Sequence, residues 1–190
     1  VIRAGLSRMD ISGTFSLGYP RRDGGEEVDA RVRIDGRDLR DFLGAFDLED
    51  YEVDGLVSGD LHLYGQYEQP FGFGRLAIAQ GIAYDEPFAE GAPALRFEGT
   101  DVRLDGLSIL KGGVVSTGAA YVGWNGSYSF NLDGRGLAVE TLAVAQMERG
   151  PAFTGYFDFS ANGSGGFEQP RYDVKFGVRD LFYGDEGVGE

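Results

Sequence analysis

The chain has 190 residues, of which 32 are glycine and none is cysteine, and its formal net charge is −14. The lack of thiols excludes disulfides and cysteine-based zinc sites. The negative charge opposes binding to nucleic acids and flat adsorption to anionic membranes, and its simplest role is to keep the exterior soluble. Glycines scattered singly between short apolar runs mark turns and bulges, so the composition predicts a mainly β chain.

The first part of the chain predicts strands on either side of a polar turn. Residues 1–19 are typical of two short strands, and the run 20–27 is rich in charge and glycine. Ala30, Val32 and Ile34 then alternate with charged residues. This alternation predicts a half-buried strand with one apolar side.

A short helix is predicted after Asp35-Gly36, where the period of the apolar residues changes. Four of them fall on one helical stripe, namely Leu39, Phe42, Leu43 and Phe46. Asp38 precedes the stripe, where its carboxylate can cap the first turn. In the second half Gly136 takes the cap position, and a weaker stripe predicts a short helix through Val139, Leu142 and Ala143.

The later strands show the same period of two, with apolar residues on one side and polar residues on the other. These strands and the one at Val32 together form an elongated, curved antiparallel sheet in our prediction. The residues expected on its apolar side are Val32, Ile34, Leu61, Leu63, Leu76, Ile78, Leu95, Phe97, Val102, Leu104, Phe130, Leu132, Phe157, Phe159, Val174 and Phe176.

Two phrases occur twice, which indicates an internal duplication. Asp35-Gly36-Arg37-Asp38-Leu39 returns 98 positions later as Asp133-Gly134-Arg135-Gly136-Leu137. Tyr67-Glu68-Gln69-Pro70 returns 100 positions later as Phe167-Glu168-Gln169-Pro170.

We therefore expect two tandem units of about 100 residues, 1–100 and 101–190, each with one short helix, within a longer array. In this alignment Val32 corresponds to Phe130. A slip of one residue in register would turn every side chain over. The match predicts that both units present their apolar residues to the same side of one continuous sheet.

Residues that could carry chemistry are few. His62 is the single histidine and lies on the polar side of its strand, so a catalytic triad or a histidine-rich metal site is excluded. Gly72–Ala77 fits a dinucleotide-binding pattern, but the sequence after it alternates like a strand. Asn125–Ser127 and Asn162–Ser164 match a glycosylation pattern and are interpreted as turns. We predict no enzyme activity, no catalytic residue, no cofactor and no metal site.

The apolar side itself has two interpretations. It fits the sealed core of a two-sheet sandwich, which buries alternating residues in the same way. A tandem β array instead continues its apolar interior along its length. If the two walls of such an array are splayed, the interior is a groove that suits acyl chains.

Several motifs resemble a known family. They are Val102-Arg103-Leu104-Asp105-Gly106-Leu107, the run Gly112–Ala120, and the strand-to-helix junction Asp-Gly-Arg-x-Leu at both of its positions. Together they resemble the repeated periplasmic region of TamB and the wider AsmA-like proteins of double-membraned bacteria. The resemblance covers essentially the whole chain and includes no catalytic motif.

The resemblance implies a β-taco, a curved sheet folded lengthwise into an apolar trough. The full-length protein is then anchored in the inner membrane and crosses the periplasm. The implied function is the conduction of phospholipid acyl chains between the two membranes along the sixteen apolar residues.

Two other functions remain open. The chain is alternatively a translocation and assembly subunit, which guides nascent outer-membrane β-barrel proteins and autotransporters together with a barrel partner of the TamA type. A plain sandwich acting as a spacer is the third possibility.

Overall fold

The computed structural model describes residues 2–4, 7–16, 27–45, 52–145, 153–166 and 168–188. Within these ranges, twelve strands form one antiparallel sheet, in which every strand pairs with the next one along the chain. The strands are β1 Ile2–Ala4, β2 Ser7–Phe15, β3 Glu27–Asp38, β4 Val53–Gln66, β5 Pro70–Ala83, β6 Glu86–Glu98, β7 Asp101–Lys111, β8 Val114–Gly123, β9 Ser127–Ala138, β10 Phe153–Gly166, β11 Gln169–Tyr183 and β12 Glu186–Gly187.

The predicted mainly antiparallel β architecture is confirmed, and the sheet is not closed. Its first and last strands, β1 and β12, form the two ends of the strand order. All strands in the described part of the chain belong to this one sheet, so the two-sheet sandwich does not hold there. The predicted polar turn lies outside the described residues, except for Glu27 at the start of β3.

The strand register separates two faces of the sheet. Directly paired residues point to the same face, and neighbours along a strand point to opposite faces. Val32 pairs with Leu61, and Leu95 pairs with Leu104. When this register is followed from β2 to β11, all sixteen predicted residues lie on one side, which we name the apolar face. The opposite side, which carries Arg33, is the polar face.

Two glycine bulges interrupt the register at matching places. Gly36 in β3 has a φ of 58°, and its amide donates a hydrogen bond to Ser58 Oγ over 3.0 Å. Gly136 in β9 has a φ of 70°, and its amide donates to Asp158 Oδ1 over 2.6 Å. A positive φ at a bulge favours glycine because a Cβ atom would strain the backbone.

The two bulge glycines lie 100 residues apart, whereas the repeated Asp-Gly-Arg sequence motif recurs after 98 residues. Gly36 corresponds to Gly136, and the strand bounds 27–38 and 127–138 differ by the same amount. The alignment that set Gly36 against Gly134 is therefore wrong at this point. Gly134 and Gly136 are both candidates to match Gly36 in a sequence alignment, but only Gly136 has the positive φ of the bulge.

The two predicted helices differ. The first forms α1, Leu39–Ala45, and Asp38 Oδ1 accepts the amide of Arg40 over 2.9 Å, so the predicted cap is confirmed. Phe46 and the side chain of Phe42 lie outside the described residues.

In the second half, two 3₁₀ turns, Val139–Thr141 and Ala143–Ala145, replace the predicted α-helix. Gly136 lies in the bulge of β9 and not at a helix cap. The first turn starts after Ala138, which offers no side-chain cap, and Leu142 is extended with a ψ of 130°. An extended residue cannot continue the helical hydrogen bonds.

The buried apolar residues are few because the sheet is a single layer. Among the described residues they are Ala30, Ile34, Val57, Leu137 and Val139. Val57 is the most buried of them, at 2% exposure. Apart from Ala30, they lie near the end of the sheet at which α1 and the 3₁₀ turns join it. Among the described residues, no helix has the length and hydropathy of a membrane span.

Candidate functional site

The apolar face is half-buried over most of its area and becomes exposed at β11. The predicted residues of β3 to β10 are shielded mainly by their neighbours in the sheet. At β11, Val174 is 56% and Phe176 is 71% exposed. Aromatic rings reinforce this side, since Phe157 lies 5.7 Å from Phe159 and 5.9 Å from Phe176 between ring centroids.

Some residues of the apolar face escaped the sequence prediction. Ile11 pairs with Val32 and so belongs to the same face. Leu107 and Ile109 belong to it as well, because the register shifts between Leu104 and Leu107. The bulge that causes this shift was signalled only by Gly106 in the sequence, and it changes which residues the alternation places inward.

One end of the apolar face is crossed by the residues that follow β9. The carboxylate of Glu86 accepts the amide of Ala143 over 3.1 and 3.2 Å and pairs with Lys111 Nζ at 2.7 Å. Glu86 begins β6, which is separated from β9 by two strands. Residues 139–145, which we name the end strap, therefore run past the ends of β8 and β7. Thr141 packs against Gly112 in the turn between those two strands.

Asp158 links the bulge of β9 to β11. Arg179 donates from Nε to Asp158 Oδ2 over 3.1 Å, while Gly136 donates to Oδ1. The guanidinium of Arg179 and the Gly136 amide lower the pKa of Asp158 below its usual value. The same carboxylate raises the pKa of Arg179. Both side chains lie on the polar face, so this pair ties β9, β10 and β11 together.

The polar face carries a long groove across β2 to β7, of about 850 Å³. Two cross-strand rows of side chains flank it. One row contains Ser12, Arg31, His62, Phe73 and Arg96. The other contains Asp10, Arg33, Asp60, Arg75, Ala94 and Asp105. The backbone at Val32, Leu61, Gly74 and Leu95 lies between the rows.

Two of the features considered for chemistry, His62 and the run Gly72–Ala77, lie on the neighbouring strands β4 and β5. His62 is on the polar face, as predicted, and its Nε2 lies 2.8 Å from Asp29 Oδ1. Gly72–Ala77 is part of strand β5, so the strand-to-helix turn of a dinucleotide site is missing there. Within the described ranges, no group of three or more histidine, cysteine or acidic side chains could hold a metal ion.

The two glycosylation-like tripeptides have different structures. Asn125 Oδ1 accepts the amide of Ser127 over 3.0 Å in the tight turn between β8 and β9, so this turn is confirmed. Asn162–Ser164 lies inside strand β10, so the turn predicted there is wrong. Gly163 fits the strand because the ring of Phe130 occupies the space above it.

Comparison of the chain with models of known protein families, with curated proteins and with solved structures finds no match.

Proposed function

We propose that the chain is a non-enzymatic segment of an envelope-spanning periplasmic protein, and that its apolar face conducts phospholipid acyl chains between the inner and outer membranes. One observation carries this proposal. The sixteen predicted apolar residues lie on one face of a single open sheet, and no second sheet covers them in the described part of the chain.

An apolar face of this kind suits transport better than tight binding. Burial of acyl carbons is worth about 0.8 kcal/mol per CH₂ and has no preferred direction. A chain can therefore shift along the face without breaking a specific contact. The exposed Val174 and Phe176 extend this surface to β11, and large exposed apolar patches mark interaction sites in soluble proteins.

The arrangement of the chain supports a tandem architecture. Bulges, strand bounds and the positive-φ glycines Gly55 and Gly155 recur at a spacing of 100 residues. We interpret the sheet as two such units that form a curved trough, with α1 and the end strap at one end. In keeping with the resemblance to TamB and AsmA-like proteins, our proposal includes a periplasmic location and an inner-membrane anchor for the full-length protein.

Photo-crosslinking tests the proposal directly. A crosslinking amino acid is placed at Leu61 or Phe157 on the apolar face, and at Asp60 or Ser160 on the polar face as matched controls. Adducts formed in cells are identified by lipid mass spectrometry. We expect phospholipid adducts from the apolar positions alone. Protein-only adducts from both Leu61 and Phe157 contradict the conduit.

A second candidate is the assembly subunit that guides nascent outer-membrane β-barrel proteins. The edge of β11 favours it, because this strand of 15 residues pairs on its outer side only through Phe182 and Tyr183 within the described residues. An open edge can add a strand by main-chain pairing. This function predicts adducts between Lys175 and unfolded barrel proteins or a TamA-like partner. If the crosslinking positions on the apolar face and at Lys175 capture phospholipids and no protein, the assembly function is contradicted.

A further inference from the structure

We propose that the groove on the polar face is a docking surface for an extended acidic segment of a partner protein. This surface is on the opposite side of the sheet from the lipid-conducting face and does not depend on it. The proposal rests on three observations. They are a set of unpaired arginines, an exposed aromatic cluster beside them, and the replacement of Arg31, Arg33 and Phe73 by polar or acidic residues at the corresponding positions of the second half.

Three arginines in the groove lack an acidic partner. Within the part of the chain that the structure describes, no carboxylate lies within ion-pair distance of Arg31, Arg33 or Arg75. The nearby acids Asp10 and Asp105 are engaged by Arg8 at 2.6 Å and by Arg96 at 3.3 Å. Asp60 lies between Arg33 and Arg75 in the cross-strand row and, in the described structure, forms no ion pair with either of them. An unpaired guanidinium presents a planar set of donors that matches a carboxylate in bidentate geometry.

The aromatic cluster adjoins these arginines on the same face. The ring of His62 lies 5.6 Å from both Tyr64 and Phe73, and Tyr64 stacks on Phe71 at 6.4 Å. Phe73 is 60% and Phe71 is 48% exposed. Clusters of aromatic and arginine side chains dominate the energetics of protein interfaces. Phe71 and Phe73 lie two residues apart on the same side of β5, so they form one apolar patch beside the arginines.

The second half of the chain provides an internal comparison. At the spacing of 100 residues, Arg31 and Arg33 correspond to Asn131 and Asp133, while Phe73 corresponds to Asp173. Arg75 corresponds to Lys175, which keeps the positive charge. The same strands therefore form with polar residues at these positions. Arg31, Arg33 and Phe73 are therefore not required by the sheet.

Charge complementarity selects the kind of partner. The chain as a whole carries −14, which opposes the long-range attraction of any anionic partner, so the local charge of the groove has to select the ligand. In the groove, four arginines outnumber three aspartates, so its formal charge is +1. An extended peptide fits the two rows, because it can place carboxylates on the arginines and apolar side chains on Phe71 and Phe73.

The test uses a fluorescein-labelled peptide of 12 residues that repeats Glu-Gly-Glu-Phe, and binding is measured by fluorescence anisotropy. We expect the double variant Arg31→Glu and Arg75→Glu to weaken binding about tenfold or more, and Phe73→Ala to weaken it about fivefold. The matched control reverses the charges of Arg171 and Lys175 on the polar face of β11 by substitution with glutamate. We expect it to leave binding of the peptide unchanged. Melting curves verify folding, and Arg31→Gln with Arg75→Gln replaces the reversal if that variant unfolds.

Several results overturn the proposal. The proposal is wrong if the peptide fails to bind the protein, if the peptide binds the charge-reversed variant equally well, or if a peptide with lysine in place of glutamate binds as tightly. Vesicles of phosphatidylcholine and phosphatidylglycerol serve as a second probe, and binding of vesicles without binding of the peptide identifies a membrane contact instead. Self-association that depends on Arg31 and Arg75 in sedimentation equilibrium identifies a second copy as the occupant. Lipid adducts from Leu61 are unaffected in every case, so the two proposals fail separately.

Discussion

Gly136 donates its amide hydrogen to Oδ1 of Asp158 over 2.6 Å, and the same carboxylate accepts from Arg179 in the next strand. The corresponding bulge in the first half is held by a neutral acceptor, since the Gly36 amide donates to Ser58 Oγ over 3.0 Å. Hydrogen bonds to charged acceptors are stronger than those to neutral ones. The two bulges therefore have the same geometry and different chemistry.

Replacing Asp158 by alanine is expected to lower the unfolding temperature, because the Gly136 amide and the Arg179 guanidinium both lose their acceptor. The matched variant Ser58→Ala removes one neutral hydrogen bond, worth about 1 kcal/mol. Thermal unfolding by circular dichroism measures both variants. A larger loss for Ser58→Ala than for Asp158→Ala contradicts the prediction.

The stabilisation by Asp158 is expected to depend on pH. Because the folded state lowers the pKa of this carboxyl group below 3.8, the unfolded chain takes up the proton first as the pH falls. The contribution is therefore fully present above the unfolded pKa and is lost as the pH falls through the folded pKa. Urea midpoints of the protein and of Asp158→Asn should differ at about pH 7, and the difference should shrink as the pH falls through the folded pKa. A difference that grows on acidification has the wrong sign.

The variant Gly136→Ala is expected to destabilise the sheet by about 1–2 kcal/mol, because an alanine at positive φ strains the backbone. No atom lies within 4 Å of the added Cβ, so the cost comes from conformation and not from a clash. Gly177→Ala is the matched control, since its Cβ also meets no atom within 4 Å and its φ is not in the left-handed region. Equal urea midpoints for the two variants contradict this explanation.

The end strap is expected to loosen when Glu86 is replaced by alanine. Glu86 is the acceptor for the Ala143 amide and the partner of Lys111, so its loss frees residues 139–145 from β6. Hydrogen exchange followed by mass spectrometry should show faster exchange in the strap. The exposed Glu90 in the same strand provides the control, and unchanged protection of the strap in Glu86→Ala contradicts its role.

Charged residues at the exposed end of the apolar face are expected to reduce lipid binding without unfolding the protein. The double variant Val174→Asp and Phe176→Asp places carboxylates where both side chains are largely solvent-exposed, so the cost to stability is small. Co-purified phospholipid per protein, measured by mass spectrometry, should fall. The control Asp173→Asn with Lys175→Gln changes charge on the opposite face of the same strand. Equal lipid content in both variants counts against the conduit.

The sequence was sufficient for the faces of the sheet and for one helix end. The period of two placed all sixteen residues on one face, since alternation is a local property of each strand. The capping of α1 by Asp38 was also predictable, because a cap involves residues adjacent in the chain.

Local structure that depends on residues distant in the sequence was harder to predict from the sequence. The helix expected at Val139, Leu142 and Ala143 is replaced by 3₁₀ turns tied to Glu86, which is distant in sequence. Asn162–Ser164 has the composition of a turn but lies in a strand between β9 and β11. In both places, contacts with distant strands override the local preference.

The amino-acid sequence alone therefore determined the strand-rich architecture and the separation of apolar from polar side chains, because both follow from composition and local period. The tertiary structure decided the positions of Gly36 and Gly136 in bulges of β3 and β9. It also decided the position of Leu107 and Ile109 on the apolar face, and the meeting of Arg31 and Arg75 beside Phe73. The bulge positions and the face of Leu107 and Ile109 depend on how strands pair across register shifts, whereas the meeting of Arg31, Phe73 and Arg75 depends on the regular register of β3, β4 and β5. A bulge sets two residues against one, so the register is fixed only when both strands are in place.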